Sequence, residues 1–364
     1  MASEVKAGDL LEGRYRILDT LGAGGMGTVY LAEHNLIKRR VAIKILHPEL
    51  AIDANVVERF MNEARAAGTL GHPNIVESTD MGFTHEHVPY IVFEHLEGTL
   101  LTDEIYRVGG FSVRRSLWIA QQIASALHAA HNAGVIHRDL KSDNVFLTDR
   151  DEMLDHVKVL DFGISRFSQL SESDHKMVMG TPEYLAPEAI TRPEAIDGRA
   201  DIYALGVILY EMLAARRPFP SQDGDPKALL HRIVHDTPEP LNVPELPPAL
   251  HDILFGKLLA KDPDERFPTM IEVESALDKF VTEKPTPMRR NRPQKTIDPF
   301  SVRPGTRTPV PVPVAARRRS WMPYGIAIGG VVIGLIGLII GLTREPPATP
   351  CDCGDPKANV RSSH

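Results

Sequence analysis

The stretch His137-Arg138-Asp139-Leu140-Lys141-Ser142-Asp143-Asn144 constrains the fold of this chain more than any other, together with Asp161-Phe162-Gly163 a short hairpin further on. Carboxylates, an ammonium and an amide stand close together there. Each polar run follows an apolar one, Val135-Ile136 before the first and Val157-Lys158-Val159-Leu160 before the second. The expectation is two short strands delivering two loops to one small volume, since loops carried on rigid elements hold side chains in fixed relation. With 364 residues, 43% hydrophobic and 24% charged, the chain has material for a two-lobed unit and something beyond it.

These residue types match the needs of phosphoryl transfer: a carboxylate beside an attacking hydroxyl, a cation on the transferring phosphate, and hard oxygen ligands for Mg²⁺. Asp139 can accept the proton, Lys141 can reach a γ-phosphate, and Asn144 with Asp161 offers the oxygens. Upstream, Leu21-Gly22-Ala23-Gly24-Gly25-Met26-Gly27-Thr28-Val29-Tyr30 is a glycine-rich turn whose backbone can approach phosphates without side-chain clash. Alone, that pattern is weak. A dinucleotide-binding turn should open a helix and show an acid about twenty residues on; here β-branched and aromatic residues follow at once and position 42 is alanine.

Val41-Ala42-Ile43-Lys44 reads as an apolar strand ending in a cation, which is either an edge lysine with its head in water or one held inward. The next helix favours the second reading. Asp53 suits its N-cap, Val56, Val57, Phe60, Ala64 and Ala67 mark an inner face, and Glu63 falls on that face. An inward carboxylate needs a partner. Further on, Ser112 caps a scaffold helix with Val113, Leu117, Ala120, Ala124 and Leu127 at helical spacing, stopped by Gly134. Asp201 opens a helix, Ile202 to Leu213, that is apolar nearly all round and should lie buried.

With Ala186-Pro187-Glu188 added, these words occur in the order that identifies the eukaryotic-type (Hanks-type) serine/threonine protein kinases, and the chain resembles their bacterial single-pass membrane members over roughly residues 15 to 280. The resemblance implies an α+β fold: a bilobal protein kinase with a β-rich small lobe and a mostly α large lobe, plus one transmembrane helix. It implies ATP with Mg²⁺, or Mn²⁺ in its place. Asp139, Lys141 and Lys44 would be catalytic, with Lys44 oriented by Glu63, and Asn144 and Asp161 would hold metal. The nucleotide would lie among Leu21, Gly22, Gly24, Gly27, Val29, Ala42, Lys44, Glu63, Phe93, Glu94, Leu96 and Phe146. Phe93 would limit the back of the adenine pocket, while Glu94 and Leu96 would offer backbone groups to the base.

By the same resemblance Asp201 holds the catalytic-loop backbone and Glu188 pairs with Arg266. Gly180 to Glu188 is similar to the acceptor-docking segment of Ser/Thr kinases and, with Lys141 two residues after Asp139, favours Ser/Thr over Tyr. Arg138 implies an activation segment ordered by phosphate on one of Ser165, Ser168, Ser171, Ser173 or Thr181, with Ser171 and Ser173 favoured by position; a polar loop without phosphate is the alternative. Two positions depart from the pattern. Ser142 stands where proline is usual, and Phe146 where a smaller aliphatic residue often floors the adenine pocket.

The expected organisation is a lead over 1–14, the kinase domain over 15–281, a Pro/Arg-rich linker over 282–320, a membrane-spanning helix over 321–343 and a tail over 344–364. The linker has recurrent prolines and no apolar periodicity, which is the composition of an extended tether; Thr286, Thr296, Thr306 and Thr308 on it are either self-phosphorylation sites or plain spacer. Gly325 to Leu342 carries no charge and would rise about 27 Å as a helix, close to hydrocarbon thickness. Arg317-Arg318-Arg319 flanks it on the kinase side, so the kinase is expected in the cytoplasm on the cell membrane and the tail outside. Glycines spaced G-x-x-x-G at 325/329, 330/334 and 337/341 suit a homodimer, or simple small-residue usage. The only cysteines are Cys351 and Cys353, so the large domain needs no disulfide framework.

The net charge of −7 divides into +8 over 283–320, from ten Lys/Arg and two acids, and about −15 elsewhere, which argues against nucleic acid as a partner. Protein substrates bearing Ser or Thr are expected instead. The other classes to weigh are a pseudokinase and a membrane-tethered scaffold.

Overall fold

A computed structural model describes residues 5–150, 153–162, 182–220, 225–243 and 245–281. The expectations for the activation-segment hydroxyls, the linker, the membrane span, its glycine face and the tail fall outside those residues. Among the described residues, no helix is long and apolar enough to cross a membrane.

The first lobe is a six-stranded antiparallel sheet built from β1 (Leu10–Leu11), β2 (Tyr15–Ala23), β3 (Gly27–His34), β4 (Arg40–Leu46), β5 (Ser78–Phe83) and β6 (Pro89–Glu94), in the order β1-β2-β3-β4-β6-β5. Central β4 is flanked by β3 and β6 and is buried from Val41 to Leu46. That double burial explains why its sequence is apolar at consecutive positions on both sides of Lys44 rather than alternating. Helix α1 (Ala54–Leu70) packs on β5 and β6. Asp53 caps it by accepting from the Asn55 N–H, and it ends at Gly71, whose φ of +52° is a conformation that glycine adopts without Cβ strain. Phe60, Ala64 and Ala67 face Ile43, Ile91 and Phe93 in one core.

The second lobe is mostly helical. A three-stranded sheet of β7 (Gly98–Leu100), β8 (Val145–Arg150) and β9 (Met153–Val159) lies at the junction, followed or threaded by α2 (Leu101–Val108) and α3 (Val113–Asn132). After it come α4 (Pro187–Thr191), α5 (Arg199–Ala214), α6 (Pro226–His235), α7 (Pro248–Ile253) and α8 (Met270–Asp278). Helix α5 is buried from Ala200 through Leu213, as its nearly all-round apolar sequence requires, with Asp201 and Glu211 the two carboxylates enclosed in it. Gly206 lets the turn Leu254–Leu258 that follows α7 lie close, because a Cβ there would sit 2.8 Å from the Cβ of Leu258.

Two details differ from the sequence reading. Val135-Ile136 is not a strand: no partner strand lies beside it, and the Val135 N–H instead closes the end of α3 on the Ala130 carbonyl at 2.9 Å. Helix α5 begins at Arg199 rather than Asp201, so Asp201 sits in the first turn, where its carboxylate turns out of the helix to other backbone groups.

Candidate active site

The β2–β3 hairpin closes through the Gly24 N–H on the Gly27 carbonyl at 2.8 Å, while His47 Nε2 meets the Gly24 carbonyl at 2.8 Å. Gly27 has to be glycine, since a Cβ there would lie 2.2 Å from the Ile45 carbonyl oxygen on β4. Glycine at this point therefore lets the turn lie flat on the strand that carries Lys44. In the ladder Val29 pairs with Lys44, and Ala42 pairs with Phe93 across β4 and β6.

Lys44 is buried, and its Nζ donates to Glu63 Oε1 at 2.9 Å and to Asp161 Oδ1 at 3.0 Å. One ammonium thus holds two carboxylates from α1 and from the segment after β9. Burial alone would lower the Lys44 pKa, but Asp161 and Glu63 outweigh it and hold the amine above the ordinary lysine range. For Glu63 burial prevails over the pull of Lys44 and pushes the carboxyl up to about 7. Asp161 is half-buried, and Lys44 overcomes the cost of its desolvation and draws its carboxyl below the usual carboxylate range.

The loop residues form a second cluster. Lys141 Nζ lies 3.2 Å from Asp139 Oδ2, and Asn144 Nδ2 donates to the Asp139 carbonyl at 2.8 Å and to Asp139 Oδ2 at 3.3 Å. Backbone bonding joins the clusters, because the Leu160 N–H donates to the Asn144 carbonyl at 2.8 Å and Asp161 is the next residue. His137 Nε2 meets the Leu160 carbonyl at 3.0 Å, and its ring lies against Phe162. Arg138 and Asp161 adopt φ of +61° and +42°, uncommon for residues with a Cβ. At Arg138 the cost is met by Asp201, whose carboxylate accepts the N–H groups of His137 and Arg138 at 2.8 and 2.9 Å.

His131 on α3 adds a bond to the same Asp201 carboxylate at 2.8 Å. It lies on an ordinary helix seventy residues away in sequence, and nothing in its local pattern marks it. The sequence also gave no sign of Glu211 on α5, a fully buried carboxylate that accepts from Tyr184 and Tyr106. Arg266 is enclosed and grips Glu188 through Nη1 at 2.6 Å and Nη2 at 2.7 Å.

Val29, Ala42, Phe93, Leu96 and Phe146 are buried in one apolar group, with Leu21 packed against it at partial exposure. Gly22 pairs with Val29 in the hairpin. Phe146 is fully enclosed, and Gly98 lies so close that a Cβ there would come within 2.9 Å of its ring. The Glu94 N–H is committed to the Glu77 carbonyl at 3.0 Å, so that N–H is not one of the backbone groups offered to a base. The Glu94 side chain is bound by Lys158 Nζ at 2.6 Å.

An oxygen donor set of one amide and one carboxylate suits Mg²⁺, which keeps waters and phosphate oxygens as its other ligands. The placement fits: the Asn144 amide nitrogen is engaged by Asp139, which directs Oδ1 away from that bond, and Asp161 follows the residue bonded to Asn144. Among the described residues there is no group of three or more His, Cys, Asp or Glu that would form a protein-only cage. Beside Asp139 a cleft runs past Arg138, Tyr184, Leu185, Ala186 and Ala189.

The protein kinase domain family profile matches residues 15–277. The chain belongs to the protein kinase family. The kinase domain is 38% identical over 273 residues to serine/threonine-protein kinase Pkn1 of Myxococcus xanthus, covering 74% of this chain and 39% of that protein. It is 37% identical over 270 residues to serine/threonine-protein kinase PrkC of Bacillus subtilis, covering 74% and 40%. The chain thus spans about two fifths of the length of these relatives. Among solved structures, the PknI kinase domain of Mycobacterium tuberculosis superposes with a TM-score of 0.58 at 28% identity, over 76% of this chain and 99% of that one. The bilobal kinase fold expected from the motifs is the one observed.

Proposed function

We propose that this kinase transfers the γ-phosphoryl group of ATP to Ser or Thr hydroxyls of proteins, from the cytoplasmic face of a cell membrane. The single observation that carries the reading is the joining of Lys44–Glu63–Asp161 to Asp139–Lys141–Asn144 through the Leu160–Asn144 bond. Six groups that phosphoryl transfer uses, from four separate segments, meet there.

In this reading Lys44, fixed by Glu63, binds the α- and β-phosphates, and the glycine turn covers them. The acceptor hydroxyl attacks the γ-phosphorus as its bond to the ADP oxygen breaks. Asp139 takes the hydroxyl proton, its carboxylate aimed by Lys141 and Asn144. Lys141 also lies within reach of the moving phosphoryl oxygens. Mg²⁺, held by Asn144 and Asp161, supplies neutralisation of phosphate charge when bound. Mn²⁺ suits the same oxygens.

Activation by self-phosphorylation between 163 and 181, signalling, membrane anchoring through 321–343 and pairing through its glycines complete the proposal. They are supported by the sequence pattern alone. The test is transfer of labelled γ-phosphate by the full-length chain to itself and to a generic protein substrate with MgATP, with Asp139→Asn as the control. Absence of transfer by the parent chain would leave a nucleotide-binding or docking module instead. For the anchor, the parent chain should sediment with membranes and a chain lacking 321–343 should not.

A further inference from the structure

The catalytic reading leaves one departure from the family pattern unused: Ser142, where proline is usual. Ser142 directly follows Lys141 and opens the 3-10 turn Ser142–Asn144, with no exposed surface. Its Oγ lies 2.8 Å from the Tyr184 hydroxyl and is hydrogen-bonded to Thr102 Oγ1 on α2. The Tyr184 hydroxyl in turn lies 2.6 Å from Glu211 Oε2, and Arg217 Nε donates to it at 3.2 Å. Arg217 also reaches Glu211 at 3.5 Å and Glu183 at 2.9 Å.

Tyr184 donates its single proton to Glu211. Ser142 Oγ thus sits among three partners, the Tyr184 hydroxyl, Thr102 Oγ1 and the Glu211 carboxylate, and its one proton and two lone pairs suit that position. Proline at 142 would supply neither donor nor acceptor at this point.

The two ends of the Ser142–Tyr184 bond belong to different working parts. Tyr184 lies in the segment that borders the cleft beside Asp139, together with Leu185 and Ala186. Ser142 stands between Lys141, bonded to Asp139, and Asn144, bonded to both the backbone and the side chain of Asp139. We propose that Ser142 is a positioning residue for phosphoryl transfer, coupling the acceptor-docking segment through Tyr184 to the loop that carries Asp139, Lys141 and Asn144. This rests on the kinase reading above. The bond is buried, so water cannot replace it, and a shift of Tyr184 is passed to the loop rather than absorbed by solvent.

The test is steady-state transfer by the full-length chain to a Ser/Thr protein substrate, for the parent, Ser142→Ala, Ser142→Cys, Tyr184→Phe and the Ser142→Ala/Tyr184→Phe pair. Ser142→Ala is expected to lower kcat/KM for the protein acceptor about five-fold, the size of one hydrogen bond lost from the transition state, while KM for ATP stays within about two-fold. Ser142→Cys, with a weaker donor, should fall between alanine and the parent. The double variant should be no worse than Tyr184→Phe alone, because both remove the same bond. Losses that multiply in the double variant, or an equal rise in KM for ATP, would overturn the inference and leave Ser142 as packing. Should Ser142→Ala not fold, the cysteine variant carries the comparison, and parent-like kcat/KM there and in Tyr184→Phe overturns it as well. A parent chain that transfers no phosphate removes the kinase reading, whereas transfer by the parent with an unchanged Ser142→Ala removes this inference alone.

Discussion

Replacing Glu188 by glutamine keeps the volume of a buried side chain and deletes its charge. Arg266 has a fully enclosed side chain and donates to five acceptors: both oxygens of Glu188, and the carbonyls of Ala260, Arg199 and Lys261 at 2.8, 2.9 and 3.1 Å. The carbonyls solvate the guanidinium, and Glu188 is the carboxylate that grips it through both oxygens. Breaking one partner of such a pair costs about 3–5 kcal/mol, since the remaining charge cannot reach water. For a unit of this size that corresponds to a fall in Tm of roughly 10 °C. Urea unfolding followed by the fluorescence of Trp118, on α3 in the same lobe, measures it. Arg266→Met should cost a similar amount by stranding the Glu188 carboxylate and three carbonyls. The double variant Glu188→Gln/Arg266→Met should cost clearly less than the two summed, because the lone charge is gone. A Glu188→Gln variant within about 1 kcal/mol of the parent would refute the claim that this pair, rather than surrounding apolar packing, fastens the end of the docking segment.

Other expectations concern the chemistry. Asp139→Asn should reduce phosphate transfer by at least about a hundred-fold while leaving ATP affinity near the parent value, read by initial rates and nucleotide titration. With Glu63 raised to about 7 from an unfolded value near 4.5, the stability this group contributes is present below about pH 4.5 and is lost as pH rises through about 7. Over the same window the ionised partner of Lys44 accumulates, so kcat/KM should climb through about pH 7; Glu63→Gln should flatten that limb, and an unchanged profile would show that another group sets it. Gly27→Ala should weaken ATP binding and lower Tm, because its Cβ would meet the Ile45 carbonyl oxygen at 2.2 Å and backbone has to move; a neutral result would mean the hairpin is free to lift. Because Phe93 and Phe146 are both fully enclosed, bulky adenine-site inhibitors should bind poorly. Submicromolar affinity (about 8 kcal/mol or more) for such a compound would contradict that.

How legible the molecule was depended on the range of each interaction. Helix α1 could be read from Asp53, its apolar stripe and Glu63, because capping and periodicity are local, and the need of Glu63 for a partner pointed on to Lys44. The buried character of α5 was equally plain. Asp139, Lys141, Asn144 and Asp161 were expected in one site through the resemblance of their motif words to a known family, since no local rule brings the two loops together. What stayed hidden was long-range polar pairing. His131 meets Asp201, Ser142 meets Tyr184 and Tyr184 meets Glu211 across separations that leave no periodic trace. The false strand at Val135-Ile136 has the opposite cause: two β-branched residues satisfy a local propensity, but a strand exists only where a neighbour supplies its ladder, and here the helix end claimed the N–H.

Asp201 belongs to a helix walled in on every side, and it is the anchor for the backbone of the loop that bears Asp139. Such a mounting has no hinge of its own, so an effector cannot retract Asp139 without unpacking the lobe. Adjustment falls more cheaply on α1, which has one inner face and a long wet one, and whose Glu63 needs only a small rotation to release its cation. Amide exchange should then find 199–214 among the slowest protons of the protein and 54–70 distinctly faster. Equal protection of the two helices would mean that throttle and anvil are not separate parts.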